Sequence, residues 1–381
     1  MNYIGSKFSL LPEIKRILDN NDIPANGIAL DLFAGTGVVA RFLKGRGHIA
    51  YANDWQYYSY LTCVAFIEHN ELPAFETLLS DNCWKKEINR SHLLPDLPVS
   101  PPGERRKPDH NSPAVRVLSY LSRLPEEPGG FYNAYCEGGK SGRMYFSKEN
   151  GLRIQAIRDK IELWHKEQLI TPEEKGWLVA SLIESADRVA NTASVYGAYL
   201  KHVKLSARKP MRLHLLDPVP SEHDAEQHRA FCMDSESMLS ALDQTRIKLV
   251  YIDPPYNSRQ YNANYHILET IARWDLAAFE PRGVTGLRKW GERKSKFCLK
   301  TKAGEAFRRL FSAMNSEYVL FSYNNEGLLS RNELEALFDE FCSRTSFLEI
   351  PYRRFRADLD GDNRVYKGDD TVEYLVLGKM K

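Results

Sequence analysis

The spacing of apolar residues divides the chain into stretches with a clear period and one long stretch that has none. Between positions 6 and 20, Phe8, Leu11, Ile14 and Leu18, with Leu10 and Ile17 beside them, fall on one helical face, and Asn20-Asn21-Asp22 with Pro24 ends it. Gly27-Ile28-Ala29-Leu30 reads as a strand, a glycine turn follows, and Val38-Val39-Ala40-Arg41-Phe42-Leu43 predicts a helix stopping at Gly45 and Gly47. His48-Ile49-Ala50-Tyr51-Ala52 is the next strand, and an apolar helix follows through Ile67. From about 70 to 130 the pattern fades. Pro95, Pro98, Pro101, Pro102 and Pro108, with Glu104-Arg105-Arg106-Lys107, predict a flexible loop or spacer there. A helix over 149–167 carries Ile154, Ile157, Ile161 and Trp164 as a core stripe. Thr171-Pro172-Glu173-Glu174 then starts a second helix, with a cap, a proline and acids in its first turn, that runs to about 191. Beyond 211 come a helix over 235–243, the buried parallel strand Ile247-Lys248-Leu249-Val250, and strands at 318–321, 347–350 and 374–377.

Two strand ends carry the candidate chemistry. The strand at 247–250 continues through Tyr251-Ile252 into Asp253-Pro254-Pro255-Tyr256. Proline has no N–H for a ladder and fixes φ at about −65°, so this tip is stiff. It also lies at the carboxyl edge of the sheet, where open α/β sheets place their ligands. The Asp253 carboxylate and a proline-directed carbonyl match the two N–H donors of an exocyclic amino group, and the Tyr256 ring offers a stacking face. A strand cap followed by a plain loop accounts for the same four residues. The first strand ends in Asp31-Leu32-Phe33-Ala34-Gly35-Thr36-Gly37, whose glycines let the backbone turn tightly and approach a ligand closely. Asp31 would attract an ammonium or sulfonium and repel a phosphate. The spacing is not the G-x-G-x-x-G of dinucleotide enzymes. Asp54 ends the next strand, roughly 20 residues on, where a nucleoside-binding βαβ unit puts the acid that holds ribose hydroxyls. An ordinary α/β turn is the alternative.

Together these two motifs resemble the N6-adenine DNA methyltransferases, the Dam-like and FokI-type modification methylases. The glycine turn is similar to their S-adenosyl-L-methionine loop and Asp253-Pro254-Pro255-Tyr256 to their catalytic tetrapeptide. Asn2-Tyr3-Ile4-Gly5-Ser6-Lys7 is similar to the segment that closes over the methionine end of the cofactor. The likeness extends through 138–146, 190–201, 257–261 and 322–327, and leaves out about 85–130 and 211–230. It implies an α/β fold: a Rossmann-like S-adenosylmethionine-dependent methyltransferase sheet with an inserted, mainly helical target-recognition region. Residues 1–60 and 211–381 would be the two parts of the catalytic domain. Residues 61–210 would be the recognition region, flexible near 95–130. The strands at 347–350 and 374–377 would form the antiparallel hairpin at one sheet edge. The resemblance makes Asp253, Pro254, Pro255 and Tyr256 catalytic. It assigns Tyr3, Lys7, Asp31, Phe33, Gly35, Gly37, Asp54 and Asp234 to S-adenosyl-L-methionine.

The reaction expected is methyl transfer to the N6 amino group of an adenine flipped from double-stranded DNA. Asp253 and the Pro254 carbonyl would hold both N–H groups so that the nitrogen lone pair faces the methyl. No metal is needed. Cytosine-N4 transfer uses the same geometry and stays open, as does a catalytically silent DNA-binding subunit of a methyltransferase pair. Cytosine-C5 chemistry is excluded, because no cysteine follows a proline. A restriction-modification system with a cognate endonuclease is the setting the resemblance implies.

Net charge changes the picture of the DNA surface. At +2 over 381 residues, any such surface is local. Tyr132, Lys140 and Arg143 lie in a segment mixing aromatics, glycines and cations, which suits phosphate contact and base stacking. Lys204, Arg208 and Lys209 form a basic exit from the helical region. From 288 to 302 seven cations face one acid around Trp290, and Arg288, Lys289, Arg293, Lys294 and Lys296 are the DNA candidates there. With 43% hydrophobic and 27% charged residues the chain reads as globular. No apolar run reaches bilayer length and the N-terminus opens on a motif, not a signal sequence. The six cysteines, none in a C-x-x-C pair, read as reduced thiols of a cytoplasmic protein with no zinc site. Asp358, Asp360 and Asp362 imitate a calcium loop, but Asn363 stands where its glycine belongs.

Overall fold

The computed structural model describes residues 5–91, 93–94, 97–100, 109, 111–256, 261–288, 295–353 and 370–381. They divide into two compact units. One is built from Tyr3–Cys63, Val219–Asn262 and Trp290–Lys381, the other from Val64–Pro218 and Ala263–Lys289.

The first unit is a seven-stranded sheet between two layers of helix. Its strands are β1 (Ile28–Asp31), β2 (Ile49–Asn53), β3 (Arg229–Phe231), β4 (Ile247–Ile252), β5 (Ser316–Asn324), β6 (Cys342–Arg353) and β7 (Asp370–Met380). They lie in the order β3-β2-β1-β4-β5-β7-β6. The first five are parallel, and β7 runs antiparallel to both β5 and β6, which is the expected edge hairpin. The central strands read as continuous apolar runs because both faces are covered. Leu249 and Tyr251 of β4 pack with Ile14, Ile17 and Leu18 of the helix Leu11–Asn20 and with Val39 and Leu43. Val250 and Ile252 face Leu239, Phe307, Leu310 and Phe338 on the other side. Strand order reverses between β1 and β4, so their carboxyl ends open a crevice at a topological switch point, the usual ligand position in such sheets.

The second unit is mainly helical. The helices Lys148–Lys166 and Pro172–Arg188 pack on each other and bury Ile154, Ile157, Ile161, Leu178 and Leu182, while Trp177 lies edge-on to Phe75 and donates to Leu216 O at 3.1 Å. Thr171 and Glu174 form the capping box, Thr171 Oγ1 accepting from Glu174 N at 3.2 Å and Glu174 Oε2 accepting from Thr171 N at 3.0 Å. Within the stretch near 95–130, where the sequence predicts a flexible loop or spacer, Pro113–Leu121 forms a helix. There Ala114, Val115, Val117, Leu118 and Leu121 form a buried stripe that the surrounding prolines obscure in the sequence. A second difference concerns Ala263–Lys289, which packs in the helical unit although a boundary at 211 would give it to the catalytic domain. The cause is visible at Arg158, fully buried, which donates to Ile271 O at 2.7 Å and Ala272 O at 3.1 Å. These are carbonyls at the C-terminal end of the helix His266–Arg273, where a cation is favoured. Among the described residues no helix is long and apolar enough to cross a membrane, and no group of three His, Cys, Asp or Glu is placed to hold a metal. The aspartates 358, 360 and 362 lie outside the described residues.

Candidate active site

Backbone geometry at the strand tips builds the crevice. Leu32 N donates to Tyr251 O at 3.0 Å, so the β1 end is tied to β4, and Ala34 N donates to Asn53 O at 2.9 Å, tying it to β2. The Asn53 side chain extends this to β3: its amide donates to Leu32 O and Met233 O at 3.1 Å each and accepts from Met233 N at 3.1 Å. Gly35 and Gly37 sit at φ +52° and +67°, left-handed backbone that side chains rarely adopt. The turn they make presents the Gly35 N–H to Asp54 Oδ2 at 2.8 Å, while Asp54 Oδ1 accepts from Gln56 N at 2.8 Å. Asp31 lies underneath. It is buried, and its Oδ2 accepts from Ala40 N at 3.0 Å in the first turn of the helix Val38–Arg46. Burial first, and the Asp253 carboxylate second, hold its proton affinity well above the usual carboxylate range.

These tips enclose a cavity of about 370 Å³. Phe33 and Asp54 line it from one side, and Asp253, Pro254, Pro255 and Tyr256 from the other. Met233, Asp234 and Glu236 close it beyond β3, and Ser295 to Cys298 add a further wall. Phe33 meets Phe297 edge-on with centroids 5.3 Å apart, which fixes the apolar part of the wall. Asp234 is also the N-cap of the helix Ser235–Ala241, accepting from Ser237 N at 3.1 Å. Tyr256 stands edge-on to Tyr323, centroids 6.4 Å apart, and its carbonyl accepts from Leu328 N at 3.1 Å, so the far end of the tip is braced by both ring and backbone.

Behind Asp253 is a buried charge cluster. Lys7 Nζ lies 3.3 Å from Asp253 Oδ1 and 2.5 Å from Glu373 Oε1. Burial opposes the charge on Lys7, but the two carboxylates more than offset it and raise its proton affinity, so the ammonium is retained. Asp253 is pushed up to about 7, by burial first and by Glu373, with Lys7 pulling the other way.

Of the expected cofactor residues, Phe33, Asp54 and Asp234 line the cavity. Lys7, Asp31, Gly35 and Gly37 stand behind its wall, and Tyr3 lies outside the described residues. The expected DNA residues divide differently. Tyr132 is 6% exposed, inside the helix Gly130–Tyr135, so it is core and not a stacking face. The Arg143 guanidinium is spent on backbone, donating to Ala134 O, Val284 O and Gly283 O at 3.0, 3.0 and 2.9 Å. Arg288 is paired with Asp275 at 2.8 and 2.7 Å and lies over the Phe279 ring at 4.3 Å. Arg288 is drawn inward by a carboxylate and Arg143 is taken up by the carbonyls of an exposed turn, which a count of cations along the sequence does not register. Lys204 Nζ donates to Thr192 O at 2.7 Å, and Lys296 pairs with Glu236 at 3.0 Å on the cavity wall. Lys140, Arg208 and Lys209 are exposed, Arg208 with Glu137 3.9 Å away. Lys289, Arg293 and Lys294 lie outside the described residues. Asn53 and Glu373 are the contributors that sequence reasoning missed. The signal for Glu373 was an acid inside a largely apolar strand, and for Asn53 a polar residue closing one.

Residues 3–337 match the D12 class N6 adenine-specific DNA methyltransferase family. Among curated proteins, the chain is 36% identical over 377 residues to the type II methyltransferase M.NlaIII of Neisseria lactamica, covering 98% of each. It is 34% identical to the modification methylase StsI of Streptococcus sanguinis, over 96% of this chain and 50% of that one. To the type II methyltransferase M.FokI of Planomicrobium okeanokoites it is 34% identical, over 94% of this chain and 50% of that one. The chain thus spans about half the length of these last two relatives. No solved structure matches it significantly.

Proposed function

Since the chain belongs to the D12 class of N6 adenine-specific DNA methyltransferases, we propose that the cavity at the tips of β1 to β4 takes S-adenosyl-L-methionine and that Asp253-Pro254-Pro255-Tyr256 receives a flipped adenine beside it. One observation carries this reading: the acid that braces the glycine turn, Asp54, and the acid that heads the proline tip, Asp253, line a single cavity. When bound, S-adenosyl-L-methionine supplies a methyl group activated by its sulfonium. The residues present fit such a molecule. The apolar wall of Phe33 and Phe297 suits its base, and the carboxylates of Asp54, Asp234 and Glu236 suit its hydroxyl and amino groups.

The chain's own part is orientation. Asp253, with Lys7 beside it, accepts one N–H of the adenine amino group, and the Pro254 carbonyl accepts the other. That arrangement aims the nitrogen lone pair away from the tip, and most of the benefit is positioning and electrostatics. Flipping a base costs a few kcal/mol. Stacking on Tyr256, about 1–3 kcal/mol for base–aromatic contacts, offsets part of it. Lys140, Arg208 and Lys209 are the exposed cations we assign to the phosphate backbone of double-stranded DNA. The helical unit is the proposed target-recognition region. We place the protein in the cytoplasm, in a restriction-modification setting where methylation shields DNA from a partner endonuclease; the likeness to a modification methylase and to type II methyltransferases supports the modification half of that reading.

Incubation with methyl-labelled S-adenosyl-L-methionine and DNA, followed by digestion to nucleosides, tests the proposal. Label in N6-methyldeoxyadenosine is expected. Label in N4-methyldeoxycytidine, or none in DNA, would overturn it.

A further inference from the structure

We propose that Glu373 is a positioning residue of the methyl-transfer site: from β7 it holds the Lys7 ammonium at a fixed distance from Asp253 and so sets how much negative charge that carboxylate offers the substrate amine. The inference rests on the reading of Asp253 as the acceptor for that amine. Glu373 does not line the cavity, so it acts through Lys7. Its carboxylate is 1% exposed and is fixed from β5 by Ser322 Oγ at 2.7 Å and Asn324 Nδ2 at 3.4 Å. Asn324 is itself held, its Oδ1 accepting from Glu326 N at 3.0 Å and Thr371 Oγ1 at 3.2 Å. Lys7 is 2.5 Å from Glu373 and 3.3 Å from Asp253, so the ammonium leans toward the carboxylate that never meets substrate.

One cation between two carboxylates, Glu373 buried and Asp253 facing the cavity, leaves a net negative charge in a largely desolvated place, which is costly for stability alone. The arrangement makes sense as a setting of Asp253. Fully paired with Lys7, Asp253 would be a weak acceptor; with no cation near, burial would favour its protonated form, which keeps only the weaker acceptor of a neutral carboxyl. The other titratable groups facing it are Tyr256 on its own tip, Asp31 on β1 and Tyr251 on β4. Burial raises the proton affinity of Asp31 and Tyr251 and so disfavours the charged form of each. Lys7 and Glu373 are therefore the charges that set Asp253.

The test is the pH dependence of single-turnover methylation by the full chain, with cofactor affinity measured alongside. Glu373→Gln removes the repulsion and releases Lys7 to Asp253, so the acidic limb moves down by about one pH unit. Lys7→Gln moves it up by about 1–3 units. Glu373→Asp keeps the charge but withdraws it by one methylene; it moves the limb down by less and serves if the glutamine variant does not fold. Shifts of opposite sign support the inference. Unmoved limbs, or shifts of the same sign, overturn it. Asp253→Ala separates the two levels: if that variant still turns over, the acceptor reading itself has failed. If it is dead while the Glu373→Gln limb stays put, only the role of Glu373 has.

Discussion

Asp54→Asn is the sharpest perturbation of the cofactor half of the site. The carboxylate accepts two backbone hydrogen bonds at 2.8 Å, from Gly35 N in the glycine turn and from Gln56 N beyond β2. Asparagine keeps one acceptor and turns an NH₂ group toward the other N–H, so one bond is lost and a repulsive contact takes its place. A hydrogen bond to a charged group contributes about 1.5–3 kcal/mol. Expressed wholly as weaker grip on the ligand, that is roughly a 10- to 150-fold rise in Kd, at about 1.4 kcal/mol per factor of ten. Calorimetric titration of S-adenosyl-L-methionine into the folded variant and parent measures it directly, and a melting curve confirms that both are folded. A Kd within twofold of the parent would refute the idea that Asp54 shapes the glycine turn for the ligand.

The remaining predictions concern the rest of the molecule. Tyr132→Ala removes a buried ring and should cost about 3–5 kcal/mol of stability by urea denaturation, with no change in the salt dependence of DNA binding; a stable variant with a flatter salt slope would restore Tyr132 to the DNA surface. Lys209→Ala should weaken DNA binding evenly across sequences and reduce the slope of log K against log salt by about 0.9, seen by fluorescence anisotropy. Gly327→Ala places a Cβ 2.2 Å from Tyr323 Cε1 and 2.9 Å from Asn324 O, and overpacking of this kind typically costs about 1–3 kcal/mol, read as a lower melting temperature. His214, His228 and His266 are buried, and burial lowers each from 6.5 to about 4. Between those values the unfolded chain binds more protons than the folded one, so stability falls as pH drops from 6.5 toward 4. Urea midpoints at pH 7 and pH 5 should differ in that direction, and equal midpoints contradict it.

Much of the sheet was legible because each central strand is a short apolar run ending in a polar or proline stop, as at Asp31, Asn53 and Asp253. The cavity followed from strand order, since a crevice opens where β1 and β4 part. What was not legible depended on partners far away in the chain. Glu373 looks like a stray acid in Val372-Glu373-Tyr374 until the fold brings Lys7 to it, 366 positions earlier. Arg143 and Arg288 counted as DNA cations because a local charge count cannot foresee the carbonyls of a distant turn or the carboxylate of Asp275. Tyr132 misled for the complementary reason: glycines on both sides suggest a loop, yet Phe131, Tyr132 and Tyr135 are buried together. The helix Pro113–Leu121 hid behind the run of prolines before it, although Pro113 in its first turn and Ser112 as its cap mark its start.

The most direct measurement is single-turnover methylation by Asp253→Ala beside its affinity for S-adenosyl-L-methionine. If the proline-braced tip presents the amine to the methyl group, transfer collapses by several orders of magnitude while cofactor Kd stays within a few-fold. Turnover at the parental rate, with the variant fully folded, would mean that the amine is held somewhere else.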